Sequence, residues 1–195
     1  MSTLELKELS HPAGEVIKIA SGKTLDLKTQ GSVTMPTGSV LQVVSATKTD
    51  TWTYTGSLTF QDVTGLAATI TPVSASSKIM VQVNINFSCQ QRYAALKTFR
   101  GSTQVGGGVA VGDRPSVNVA SDSNQDENSQ EYIMRNSSYS FLDSPNTTSA
   151  TTYKVQAGNV SSTSAVMYVN RTPVDSSYDW AHRGSSTITL MEIQG

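Results

Sequence analysis

The sequence is poor in charge and nearly devoid of cysteine. Asp, Glu, Lys and Arg make up 15% of its 195 residues, against about a quarter in a typical soluble domain. Its 14 basic and 15 acidic residues leave a net charge of −1. With no basic block, the chain lacks the electrostatic footprint of a nucleic-acid binder. The single cysteine, Cys89, excludes an internal disulfide. With only His11 and His182 beside it, no cysteine-rich zinc site can form, and neither a metal nor a cofactor is expected. No run of about 18 apolar residues exists, so membrane insertion is not expected. The first twenty residues carry Glu5, Glu8 and Glu15 and no apolar stretch, so a secretory signal is not expected either.

What is abundant is hydroxyl. There are 28 serines and 24 threonines, together 52 of 195 residues. Such a polar, weakly charged, Thr-rich profile predicts an all-β protein. The apolar pattern agrees. In Lys78–Phe87, Ile79, Val81, Val83, Ile85 and Phe87 alternate with Lys78, Met80, Gln82, Asn84 and Asn86. Strict period two over ten residues predicts a half-buried strand. Further strands are predicted at 40–47, 52–55, 58–62, 67–71, 94–99, 132–134, 138–142, 152–157, 165–170 and 187–193. Spacings of about 8–12 residues with Gly, Ser and Asn turns predict an antiparallel β-sandwich or barrel over 40–195. Loops are expected at 101–112, 114–131 and 172–186. Cys89 continues the apolar series and is read as a buried, inert thiol.

Residues 14–39 differ from this. Ile17, Leu25 and Val33 recur every eight residues, as do Ile19, Leu27 and Met35, and Gly14, Gly22, Gly31 and Gly38 separate them. Each unit reads as a short β-rung closed by a glycine turn. Rungs of this kind cannot bury their apolar edge alone. The preferred reading is a short stem in which identical chains wind around a shared axis. Ile17, Ile19, Leu25, Leu27, Val33 and Met35 then form a subunit interface. The alternative is a meander packed on the main domain. Residues 1–13, with Leu4, Leu6 and Leu9 ending at Pro12, read as an anchoring arm. In the last strand Ile188 and Leu190 face one side while Met191 and Ile193 are apolar on the other. Burial on both faces is implied, and Met191 and Ile193 are assigned to the interface with another subunit.

Several familiar motifs fail on inspection. Ser21-Gly22-Lys23-Thr24 ends like a phosphate loop, but Ile17 stands where the first glycine belongs and a strand pattern follows, so a turn is expected. Gly106-Gly107-Gly108 and Gly112 lack the glycine at Val111 and a surrounding βαβ unit. Asp122, Asn124, Asp126 and Asn128 alternate as in a calcium loop, but Glu127 occupies the turn glycine and Ile133 the bidentate acid. No nucleophile elbow is present, nothing selects a pair of acids, and no catalytic set or enzymatic activity is expected.

One stretch concentrates chemistry: Tyr178-Asp179-Trp180-Ala181-His182-Arg183-Gly184. Tyr, Trp and Arg anchor binding surfaces, including those that stack on sugars. Tyr178, Asp179, Trp180, His182 and Arg183 are therefore the candidate receptor-binding residues. The alternative places Trp180 in the core or a subunit interface, with the charges as a solvated rim.

From about residue 38 the chain resembles small tail-fibre-like virion proteins of bacteriophages, common among marine and cyanobacterial phages. The resemblance rests on Thr37–Val44, on Phe60–Leu66, on Thr69–Ile79 and on the closing Ser186–Ile193. It covers residues 100–175 poorly. It implies a homotrimer with a jelly-roll-like β-sandwich head on a thin stem, assembled in the bacterial cytoplasm and carried on the virion. It also implies attachment to a host-surface glycan or protein, with the N-terminal arm contacting other virion proteins. The short stem leaves a second expectation: a trimeric capsid-decoration or head-fibre protein, or an assembly adaptor, without a receptor. If strand 187–193 pairs antiparallel beside the strand starting at Val40, loop 172–186 is expected at the end of the head distal to the stem.

Overall fold

The computed structural model describes residues 21–22, 35–89, 93–121, 132–160, 162 and 164–195. The arm at 1–13 and the rung residues Ile17, Ile19, Leu25, Leu27 and Val33 lie outside them. Ser21 and Gly22 form a turn in which Gly22 has φ +75°.

Eleven strands and no helix are found among the described residues: β1 (Val40–Lys48), β2 (Trp52–Gly56), β3 (Phe60–Ile70), β4 (Lys78–Cys89), β5 (Ala94–Arg100), β6 (Thr103–Val105), β7 (Val119–Ser121), β8 (Arg135–Asp143), β9 (Thr151–Asn159), β10 (Ala165–Val169) and β11 (Ser186–Ile193). They form two antiparallel sheets that share one apolar core. In the first sheet β4 is central. β8 pairs along one edge of it, while β11 and then β10 share the other. β1 pairs with β11 and β2 with β10. The second sheet runs β3-β9-β5, with β6 and β7 sharing the far edge of β5.

Alternation decides the core. The odd-numbered side chains of β4 from Ile79 to Phe87 are buried, as are Ile188 and Leu190 of β11. They meet Leu66, Ile70, Leu96, Tyr153 and Val155 of the opposite sheet. Full burial of each such side chain contributes about 1.5–3 kcal/mol. Cys89 is buried with them.

Three local readings need correction. The strands expected at 58–62 and 67–71 are one strand, β3, which bulges between Asp62 and Ala67 against β9. The bulge turns at Gly65 (φ +85°) and drives Val63 and Leu66 into the core. Residues 132–134 are not a strand; Tyr132 and Ile133 are exposed there. Loops 101–112 and 114–131 contain β6 and β7, three-residue strands too short to show a period.

Gly106 has φ +66°, and a Cβ built on it would run into the Phe141 ring. Gly106→Ala therefore meets both backbone strain and a steric clash. The expected cost is about 2–3 kcal/mol, measurable as a lower urea midpoint with an unchanged slope.

Candidate functional site

The candidate loop leaves the first sheet through a break, not at its end. β10 pairs with β4 as far as Val169–Phe87, and β11 resumes at Thr187–Asn84. Residues 171–185 are thus an excursion from what is otherwise one long strand beside β4. Asn170 closes its neck. Its backbone is left-handed (φ +62°), a conformation asparagine tolerates better than most residues. The Asn170 N–H donates to the Asn86 carbonyl (2.9 Å), and Gly184 N–H donates to the Asn170 carbonyl (3.1 Å). The Asn170 amide donates to the carbonyls of Lys48 (2.9 Å) and Asp50 (3.0 Å), and its oxygen accepts from Ser186 Oγ (2.6 Å). β11 does pair antiparallel with β1, and the loop leaves near the end of β1, where Lys48 faces Ser186. However, β2 and β10 extend beyond this level, so the neck of the loop is not at the end of the sheet.

Charges brace the loop from within. Arg183 holds Asp175 through two hydrogen bonds, Nε–Oδ1 at 2.9 Å and Nη2–Oδ2 at 2.8 Å. Arg171 approaches the same carboxylate at 3.3 Å and donates to the carbonyls of Thr172 (3.0 Å) and Pro173 (2.6 Å). The Arg171 guanidinium also lies over the Tyr168 ring at 4.7 Å. Thr172 N–H donates to the His182 carbonyl (3.3 Å). An exposed ion pair alone adds little, but a bidentate pair within a network fixes geometry.

This bracing presents an aromatic ledge. Tyr178 and Trp180 stack at 4.9 Å and 15°, and Tyr132 meets Trp180 edge-on at 6.1 Å. All three remain exposed: Tyr178 54%, Trp180 49% and Tyr132 37%. Trp180 is therefore not a core residue. Beside the ledge lies an open concavity of about 560 Å³ lined by Asp175, Ser176, Ser177, Tyr178, Asp179, Ala181 and Arg183.

The five predicted residues thus separate by role. Tyr178 and Trp180 form the platform, Asp179 lines the concavity, Arg183 braces the loop, and His182 contributes its backbone carbonyl. Tyr132, Asp175 and Arg171 were not foreseen. The Arg171–Asp175 spacing was a usable signal, since the two carry opposite charge in a charge-poor chain. Tyr132 lies 48 residues from its ring partner Trp180 in sequence, and nothing local marks it.

Of the predicted interface residues, Met191 and Ile193 are half-buried on the outer face of the first sheet, and Met35 is exposed. The register extends this apolar surface. Val43, Met191, Met80 and Leu142 stand side by side across β1, β11, β4 and β8. Val43 is 56% and Leu142 53% exposed. Among the described residues, no group of three His, Cys, Asp or Glu side chains could hold a metal ion. The calcium-like run at 122–128 lies outside those residues.

Neither a protein-family model nor a curated protein matches the chain.

Proposed function

We propose that this chain is a bacteriophage virion protein of tail-fibre or tail-tip type, a homotrimer that presents its β-sandwich head to the host surface. The head is jelly-roll-like in this reading, the N-terminal arm holds it to other virion proteins, and its role is binding rather than catalysis. One observation carries the reading: Trp180 touches two other rings, Tyr178 on the same ion-braced loop and Tyr132 just ahead of β8, and all three remain exposed. Exposed large aromatics of this kind are costly to keep in water and serve recognition well. The sequence resemblance supplies the virion setting, and the apolar row supplies a face for neighbouring copies.

Met80→Lys puts a charge in the middle of that row. The expected result is a fall in solution mass from a trimer toward 20.8 kDa, with unchanged β-sheet circular dichroism. A trimer that survives the substitution would remove the row from the interface.

Virion position tests the proposal as a whole. Gold-labelled antibody against the head is expected at the tail or baseplate of the particle that carries the chain. Labelling over the capsid would favour the decoration or head-fibre alternative, for which the same apolar row could serve as a docking face.

A further inference from the structure

The outer face of the first sheet changes character along the strands. Beyond the apolar row, Ser45, Thr189, Gln82 and Ser140 align across β1, β11, β4 and β8. The next row is Thr47, Thr187, Asn84 and Ser138, and Asn86 pairs with Asn136 beyond it. Every one of these side chains is a hydroxyl or a carboxamide, and none is charged.

The three asparagine carboxamides are hydrogen-bonded to one another or to the backbone. Asn136 Nδ2 donates to the Oδ1 atoms of Asn84 (2.9 Å) and Asn86 (3.1 Å). Asn86 Nδ2 donates in turn to the Ser185 carbonyl (2.6 Å). This uses one lone pair of the Asn84 oxygen, and the Asn84 NH2 group donates to nothing among the described residues. Ser185 belongs to the excursion loop, and neighbouring Gly184 packs against Asn86 and Met134. Tyr132 of the ledge lies two residues before Met134. The aromatic ledge and the amide cluster therefore share a border.

We propose that these two polar rows and the Asn84–Asn86–Asn136 cluster form a glycan subsite adjoining the ledge, and that its ligand is an uncharged polysaccharide laid across the strands. The inference rests on reading the ledge as a recognition surface and names what that surface takes. A sugar ring has an apolar C–H face and a rim of hydroxyls that both donate and accept. The ledge suits the face, and the carboxamides and hydroxyls suit the rim. Side chains within a row recur at the strand spacing of about 4.8 Å, comparable with the length of one sugar ring. An acidic polymer would find no cation on these rows.

The test is affinity electrophoresis of the full chain through gels containing mannan, galactan or dextran, and through gels containing alginate or heparin. Retardation is expected in at least one neutral gel and should survive a rise from ~50 to ~500 mM salt, because no charge pairing is involved. The double variant Asn84→Ala/Asn136→Ala should weaken that retardation about tenfold, the effect of losing a few oriented hydrogen bonds. Ser138→Glu, which leaves the amide cluster intact, should weaken it similarly. If Trp180→Ala abolishes binding while both row variants bind as the parent does, the rows are not a subsite and the ledge reading stands. If all three bind as the parent does, ledge and rows both fail. Salt-sensitive binding to the acidic polymers alone, or retardation in none of the gels, would overturn the neutral-glycan assignment.

Discussion

Glu192→Ala is expected to lower the stability of the head by about 3 kcal/mol, the loss of two hydrogen bonds to a charged group at about 1.5–3 kcal/mol each. Glu192 sits on β11 with its side chain pointing inward and is fully buried. Its Oε2 accepts from Gln42 Nε2 of β1 (2.6 Å), and its Oε1 accepts from the Val73 N–H in the turn between β3 and β4 (2.7 Å). Gln42 donates as well to the Thr71 carbonyl (2.7 Å). One carboxylate thus ties the edge of the first sheet to the chain leaving the second. Burial by itself would raise the Glu192 carboxyl, but the hydrogen bonds from Gln42 and the backbone outweigh it and hold the group below its ordinary value. The sign for stability follows. A depressed folded-state pKa contributes stability that is present above the unfolded value, 4.5 for a free glutamate, and is lost as pH falls through the folded value. Thermal unfolding of the parent should therefore weaken below about pH 4.5. Glu192→Ala should unfold roughly 10 °C lower at neutral pH and show a flatter acid limb. A variant that melts like the parent at neutral pH would mean that water replaces the carboxylate at no cost.

The second large effect belongs to Trp180→Ala. Trp180 contacts both other rings of the ledge, so its removal takes away the platform rather than one part of it. A stacked aromatic ring contributes on the order of 1–3 kcal/mol to a bound nucleic-acid base, and a sugar's C–H face is taken here on the same scale. In a trimer the ledge is present three times, and simultaneous engagement multiplies each loss. The purified protein should compete with the particle for adsorption to host cells, and Trp180→Ala should weaken that competition at least a hundredfold. Because Trp180 is half-exposed, its melting temperature should stay within a degree or two of the parent's. Equal competition by parent and variant would take the ledge out of attachment.

The strands with a long unbroken period were legible in the sequence, because alternation is the physical consequence of one buried face. Ile79 to Phe87 is the clearest case, and Ile188 and Leu190 are another. Elements shorter than the period were not. β6 and β7 pair with β5 over three residues each, and no window of that size distinguishes a strand from a loop. β3 was divided because its bulge shifts the buried face at Val63 and Leu66. Two buried charged residues left no mark in the sequence. Glu192 and Lys48 are both buried, and only the third dimension reveals Gln42, the Val73 N–H and Asp50 as the partners that make this tolerable. The aromatic loop was visible as a local concentration of Tyr, Trp and Arg. Its third ring was not, because Tyr132 meets Trp180 across 48 residues of sequence, brought there by the pairing of β8 with β4.

The most direct test of an oligomeric attachment head is the solution mass of the purified chain, by light scattering after size exclusion, across a hundredfold dilution. The expected result is three times 20.8 kDa, unchanged on dilution. A stable species of 20.8 kDa would contradict it, leaving the proposed stem and the apolar row without the neighbouring copies that the proposal requires.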